Sequence, residues 1–150
     1  MSVLSAEGIT VTLPHGWEGA IGHESTLEDG SVRNVIAHFA TFPLPTRRGD
    51  FGGGAVDLMG ATDAFIALFD YGRQSAGTAL FAANGPPASI EAGHFDRSVL
   101  QKPMPSQSGV QRFFTASGRA MCLYIVVGSH IDRAEVLPAI NTFLASLIIQ

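Results

Sequence analysis

The sequence predicts an α+β domain in which an antiparallel sheet of about five to seven strands carries a C-terminal helix across one face, as a two-layer or α/β/α sandwich. Three observations lead there. Residues 9–13 alternate Ile, Val and Leu against Thr, residues 110–128 read as a hairpin of strong β-formers, and Val136, Ile140, Phe143, Leu144 and Leu147 recur at helical spacing.

Taken in order, Gly8 to Leu13 is a half-buried strand closed by Pro14-His15-Gly16. Trp17 to Glu24 is a weaker strand whose glycines argue for a bulged or edge position. Glu28-Asp29-Gly30-Ser31 has turn chemistry. Val32 to Phe42 follows as a strand, with Val35, Ala37 and Phe39 on one face and Asn34, Ile36, His38 and Ala40 on the other. Pro43 to Gly60, rich in Pro and Gly and without helical period, reads as a long loop. Residues 62–71 fit a strand or a helical stripe, and their aromatics and short length favour the strand. Ala76 to Ala83 is a short strand or helical turn, and Phe95 to Pro105 is irregular or holds a short strand. Val110 to Thr115 and Arg119 to Gly128 form a hairpin about Ser117-Gly118. The second arm is apolar on both faces, so it belongs at the centre of the sheet, covered on both sides. Asp132 and Glu135 have capping-box spacing. The helix they open runs to about Ser146, with Pro138 starting, kinking or narrowing its first turns.

Leu13-Pro14-His15-Gly16-Trp17, a strand running into an L-P-x-G-W turn, joins here with a long penultimate strand and a closing amphipathic helix. These features resemble the Mog1/PsbP-like superfamily over residues 8–17 and 110–147. The resemblance implies an α/β/α sandwich and a role in protein binding and assembly, with no shared catalytic residues to carry over. Residues 43–60 depart from the pattern, since such domains place a helix soon after the early strands.

Composition narrows the function. Of 150 residues only 15% are charged, against about 25% in ordinary globular proteins, and 42 are Leu, Ile, Val or Phe, which excludes intrinsic disorder. Mean hydropathy is +0.24, yet no uncharged run reaches the roughly 20 apolar residues of a membrane span, and the first residues lack a secretory signal. The expected location is cytoplasmic. The nine bases are scattered apart from Arg47-Arg48, so the clustered footprint of a nucleic-acid binder is missing. Lone Cys122 in an apolar run reads as a buried inert thiol.

No cofactor is expected. Gly52-Gly53-Gly54 lacks the lysine of a phosphate-binding loop and the third glycine of a dinucleotide fingerprint, and reads as a hinge or tight packing. Five histidines, His15, His23, His38, His94 and His130, stand singly without metal-ligand spacing. No nucleophile elbow appears, and Asp63 and Asp70 read as turn or strand-end carboxylates. The interaction candidates are Trp17, which either plugs the end of the sheet or anchors a partner, and Arg47, Arg48 and Phe51 of the long loop. The leading expectation is a non-catalytic accessory domain that self-associates, as a homodimer, since so few charges leave excess apolar surface. The alternative is a hydrophobic-ligand carrier with Phe65, Phe69, Phe81 and Phe113 lining a cavity.

Overall fold

A computed structural model describes residues 1–23 and 34–150, so the expected turn at 28–31 lies outside the described residues. Among these described residues eight strands form two antiparallel sheets. The smaller sheet has the order β1-β2-β8 and the larger β3-β4-β5-β7-β6, with β1 Ser2–Ala6, β2 Ile9–Leu13, β3 Glu18–His23, β4 Val35–Ala40, β5 Ala64–Gly72, β6 Ser108–Ala116, β7 Arg119–Val127 and β8 Ile148–Ile149. A single turn, α1 (Gly53–Val56), and one long helix, α2 (Arg133–Ser146), complete the regular structure of the described residues with three short 3-10 turns.

The single sheet expected from sequence is thus divided. Strands β1 and β8 were not anticipated: β1 has no long apolar run, and β8 is two residues. Their place comes from pairing with β2 on either side, Leu4 opposite Val11 and Ile149 opposite Ile9. Glu7 and Gly8, both at positive φ (55° and 77°), make the tight turn between β1 and β2, as Ser117 and Gly118 do between β6 and β7.

Every residue of β7 is buried, because β5 and β6 flank it and both its faces are covered. On the first face Met121, Leu123, Ile125 and Val127 join Val35, Ala37 and Phe39 of β4 and Ala64, Ile66 and Leu68 of β5. α2 lies over them with Val136, Ile140, Phe143 and Leu144, and β2 adds Ile9, Val11 and Leu13. The helix spans the expected residues, but its start differs. Asp132 sits at φ −97°, ψ 11° and makes no side-chain cap bond; the Glu135 amide donates to the Asp132 carbonyl instead. The Asp132 backbone lies outside the extended region from which an N-cap side chain ordinarily reaches the first-turn amides. Pro138 lies inside the helix rather than at its start.

The second face, carrying Ile36 and Ala40 of β4, Phe65, Ala67 and Phe69 of β5 and Cys122, Tyr124 and Val126 of β7, is covered by two irregular segments instead of a helical layer. Residues 42–59 contribute Phe42, Leu44, Phe51, Ala55, Val56 and Met59, and residues 99–104 contribute Val99, Leu100 and Met104. The long loop is therefore a packed cover whose only helix is α1. No helix among the described residues is long and apolar enough to cross a membrane.

Candidate functional site

The loop-covered face holds the buried histidine His38 and the polar bonds that fasten the covering segments. Alternation along β4 turns His38 toward this face between Ile36 and Ala40, where it is 6% exposed. The Arg48 Nε–H donates to His38 Nδ1 at 2.7 Å, and the opposite ring nitrogen, Nε2, donates to the Asp50 carbonyl at 2.7 Å. These partners define a neutral imidazole with its proton on Nε2. Arg48 also donates from Nη1 to the Pro45 carbonyl at 2.9 Å, and the Phe65 ring lies 5.3 Å from the imidazole. Burial, assisted by the Arg48 charge, holds the His38 pKa below its ordinary value of 6.5, against a smaller upward pull from the Asp50 carbonyl.

Proton linkage follows directly. The unfolded chain takes up a proton on this histidine near pH 6.5 and the folded chain only at lower pH, so the stability contributed by neutral His38 is complete above 6.5. It declines as pH falls toward the folded value, by about 1.4 kcal/mol for each unit separating the two. His130 is shifted in the same direction, by burial and by Arg133 and Arg97, against Asp96. Comparison of wild type with His38→Gln isolates the His38 share: urea melts between pH 7 and 5 should show a steeper loss for wild type. Parallel pH profiles would exclude His38 as the acid-sensitive fastening of the loop.

Gly52, at φ +73°, lays its backbone so close to the Phe65 ring that a methyl group there would overlap it, and a methyl at Gly54 would overlap the Arg47 carbonyl. Gly52 and Gly54 are thus set by tight packing, while Gly53 has room for a side chain. Phe51 then crosses Phe69 at 4.4 Å and meets Tyr124 edge-on at 5.7 Å. The Tyr124 hydroxyl accepts from the Gln101 amide at 2.8 Å, so one tyrosine holds both covering segments. Lys102 joins the two segments by donating to Asp57 at 2.7 Å and to the Gly53 carbonyl at 3.3 Å. Gln107 donates to the Val56 carbonyl at 2.8 Å, and its buried Oε1 has no partner among the described residues.

The fold brings Arg47, Arg48 and Phe51 together on this face and leaves Trp17 on the other. Arg47 is exposed, Arg48 is tied to His38 and Pro45, and Phe51 is half-buried against Phe69 and Tyr124. Trp17, also half-buried, stacks on Phe143 of α2 at 5.3 Å with 13° between the rings. No family model, curated protein or solved structure matches the chain.

Several groups with catalytic potential are engaged in structural contacts. No three His, Cys, Asp or Glu side chains converge on a possible metal position among the described residues. Asp63 accepts from the Thr41 hydroxyl at 2.7 Å and the Gly60 amide at 2.8 Å, and Asp70 pairs with Arg119 at 2.7 Å. His130 Nδ1 lies 2.8 Å from the Ser108 hydroxyl, but Ser108 is fully buried, which denies a substrate access to that oxygen. Burial also pushes the Cys122 thiol up, away from the reactive thiolate.

Of the phenylalanines named for a ligand cavity, Phe65, Phe69 and Phe81 pack against other rings or the loop, and Phe113 lines a small cleft of about 140 Å³ with Arg112 and Phe114. Phe65 is fully buried beneath Gly52, Phe69 lies under Phe51, and Phe81 meets Tyr71 at 5.9 Å and Phe113 at 5.7 Å. Sequence reasoning missed a cleft of about 290 Å³ lined by Arg97, Leu100, Pro103, Met104 and Pro105. The Pro-Met-Pro run was the signal available, but irregular segments carry no periodicity from which a concave surface can be read.

Proposed function

We propose that the chain is a non-catalytic interaction domain of the Mog1/PsbP-like sandwich type that pairs with a second copy of itself through the outer face of its small sheet. The observation that carries this reading is the chemistry of that face. Register sets Val3 opposite Thr12, Ser5 opposite Thr10, and Thr10 opposite Ile148, so Val3, Ser5, Thr10, Thr12 and Ile148 share the side turned away from the core. None is charged. Val3 is 70% exposed and Ile148 54%. The Ser5 and Thr10 hydroxyls bond to each other at 2.7 Å, which reduces the cost of taking them out of water.

An exposed sheet face ordinarily carries charge that discourages association. A face of Val, Ile and bonded hydroxyls suits face-to-face packing of two sheets, and a twofold axis makes one such patch sufficient. The sandwich reading rests on the turn after β2, where the Trp17 amide donates to the Pro14 carbonyl at 3.1 Å and Gly16 takes φ 85°, together with α2 across one face of the large sheet.

Sedimentation velocity at tens of micromolar tests the pairing. Wild type should run as a dimer, and Val3→Lys, at a position that bears no core contact, should run as a folded monomer. A wild type that stays monomeric, or a Val3→Lys variant that still pairs, overturns the proposal.

A further inference from the structure

Beyond self-association, we propose that the cleft between Arg97 and the 100–105 segment binds a small amphipathic carboxylate, with its anionic end at Arg97 and its apolar body on Leu100, Pro103, Met104 and Pro105. Four of these five lining residues are apolar and the fifth is a cation. Among the described residues no hydrogen bond or ion pair engages the Arg97 guanidinium, although it is exposed at the rim. At about 290 Å³ the cleft falls at the lower end of small-molecule sites, which restricts the occupant to a short chain or a single ring.

Its walls are preformed. Pro103 and Pro105 have fixed φ, and Leu100 and Met104 are anchored on the second core, so little ordering is required on binding. Met104 adds an adaptable surface, suited to apolar groups of varied shape.

The surrounding charge favours an anion. Arg97 and Arg133 both bear on His130. The one carboxylate beside them, Asp96, accepts from the Ser98 amide and hydroxyl at 2.8 Å each, bonds that favour its charged form, so the two guanidinium groups outnumber it, and nearby Lys102 is matched by Asp57. A planar guanidinium without a partner pairs well with a carboxylate in a two-bond arrangement. An inorganic anion would leave the four apolar residues unused, and a neutral hydrocarbon would leave Arg97 unused.

Hexanoate and its neutral analogue hexanamide separate these contributions. Titrated into 15N-labelled protein, hexanoate should shift the backbone amide signals of residues 97–102 and 104. Hexanamide should move the same signals with affinity weaker by about fivefold, the order expected of one solvent-exposed ion pair. Arg97→Gln should lower hexanoate affinity to that of the amide and leave hexanamide unchanged, while Arg73→Gln, an exposed arginine outside the cleft, should alter neither. Absence of shifts at 97–104, equal affinity for hexanoate and hexanamide, or an Arg97→Gln protein that still prefers the carboxylate would each overturn the assignment.

Discussion

Arg119→Met should destabilise the fold by about 3–5 kcal/mol, the range for removing one partner of a buried ion pair. Arg119 opens β7 at 7% exposure. Its Nε and Nη2 both donate to Asp70 Oδ2, at 2.9 and 2.7 Å, and its Nη1 donates to the Gln150 carbonyl at 3.1 Å. One guanidinium thus ties β5 of the large sheet to the end of the small one. It also packs against the β1–β2 turn, where a methyl on Gly8 would press on Nη1 at 2.6 Å. Methionine fills much of the volume but leaves the Asp70 carboxylate facing a poorly solvated pocket, with the Gly72 amide still donating to it. With a urea slope of about 2 kcal/mol per molar, the unfolding midpoint should fall by about 2 M. Replacing both partners, as Asp70→Leu with Arg119→Met, should recover most of the loss, because no buried charge is then left unpaired. A midpoint for the single variant within error of wild type would show that the Arg119 guanidinium does not fasten the two sheets.

Phe143→Ala should cost a similar amount, about 3–5 kcal/mol, through lost burial and the cavity left behind. The Phe143 ring is fully buried, 4.8 Å from Phe39 on the sheet and 5.3 Å from Trp17. It is the helix residue through which α2 grips both β4 and the turn after β2. Because Trp17 is the single tryptophan, emission comes from this site without another indole, and losing the stacked ring should shift it to the red. The same contact separates the two roles considered for Trp17. If it plugs the end of the sheet, Trp17→Ala destabilises the monomer. If it anchors a partner, that substitution leaves the urea midpoint unchanged and weakens pairing. The stacking geometry predicts the first result.

The strands read correctly from sequence are those with a sustained pattern. The Thr alternation of residues 9–13 and the doubly apolar 119–127 needed no partner to be recognised, because period and burial are written in the side chains themselves. The segment at 62–71 was ambiguous for the opposite reason: Phe65, Ala67 and Phe69 fit either period until pairing with β4 and β7 settles them. Strands β1 and β8 could not be read, since neither buries enough of its own side chains to leave a pattern. Of the candidate site, Arg47, Arg48 and Phe51 were legible as a group because they share one loop. The roles of Arg48 and Phe51 were not, since His38, Phe69 and Tyr124 reach them across the sheet from β4, β5 and β7.

The low charge count finds a physical place in this architecture. Much of the apolar excess fills two cores, one on each face of the large sheet, and part remains outside on Val3, Leu58, Leu80, Ile131 and Ile148. By itself the sequence determined the α+β class, the central position of β7, the closing helix and the absence of a membrane-spanning run, because each depends on local periodicity and composition. Only the tertiary structure decided that the strands divide into two sheets, that an irregular loop takes the place of a helical layer, and that Arg97 meets an apolar cleft. Those outcomes depend on contacts between residues distant in the chain, and such contacts leave no periodic trace in either partner's own segment.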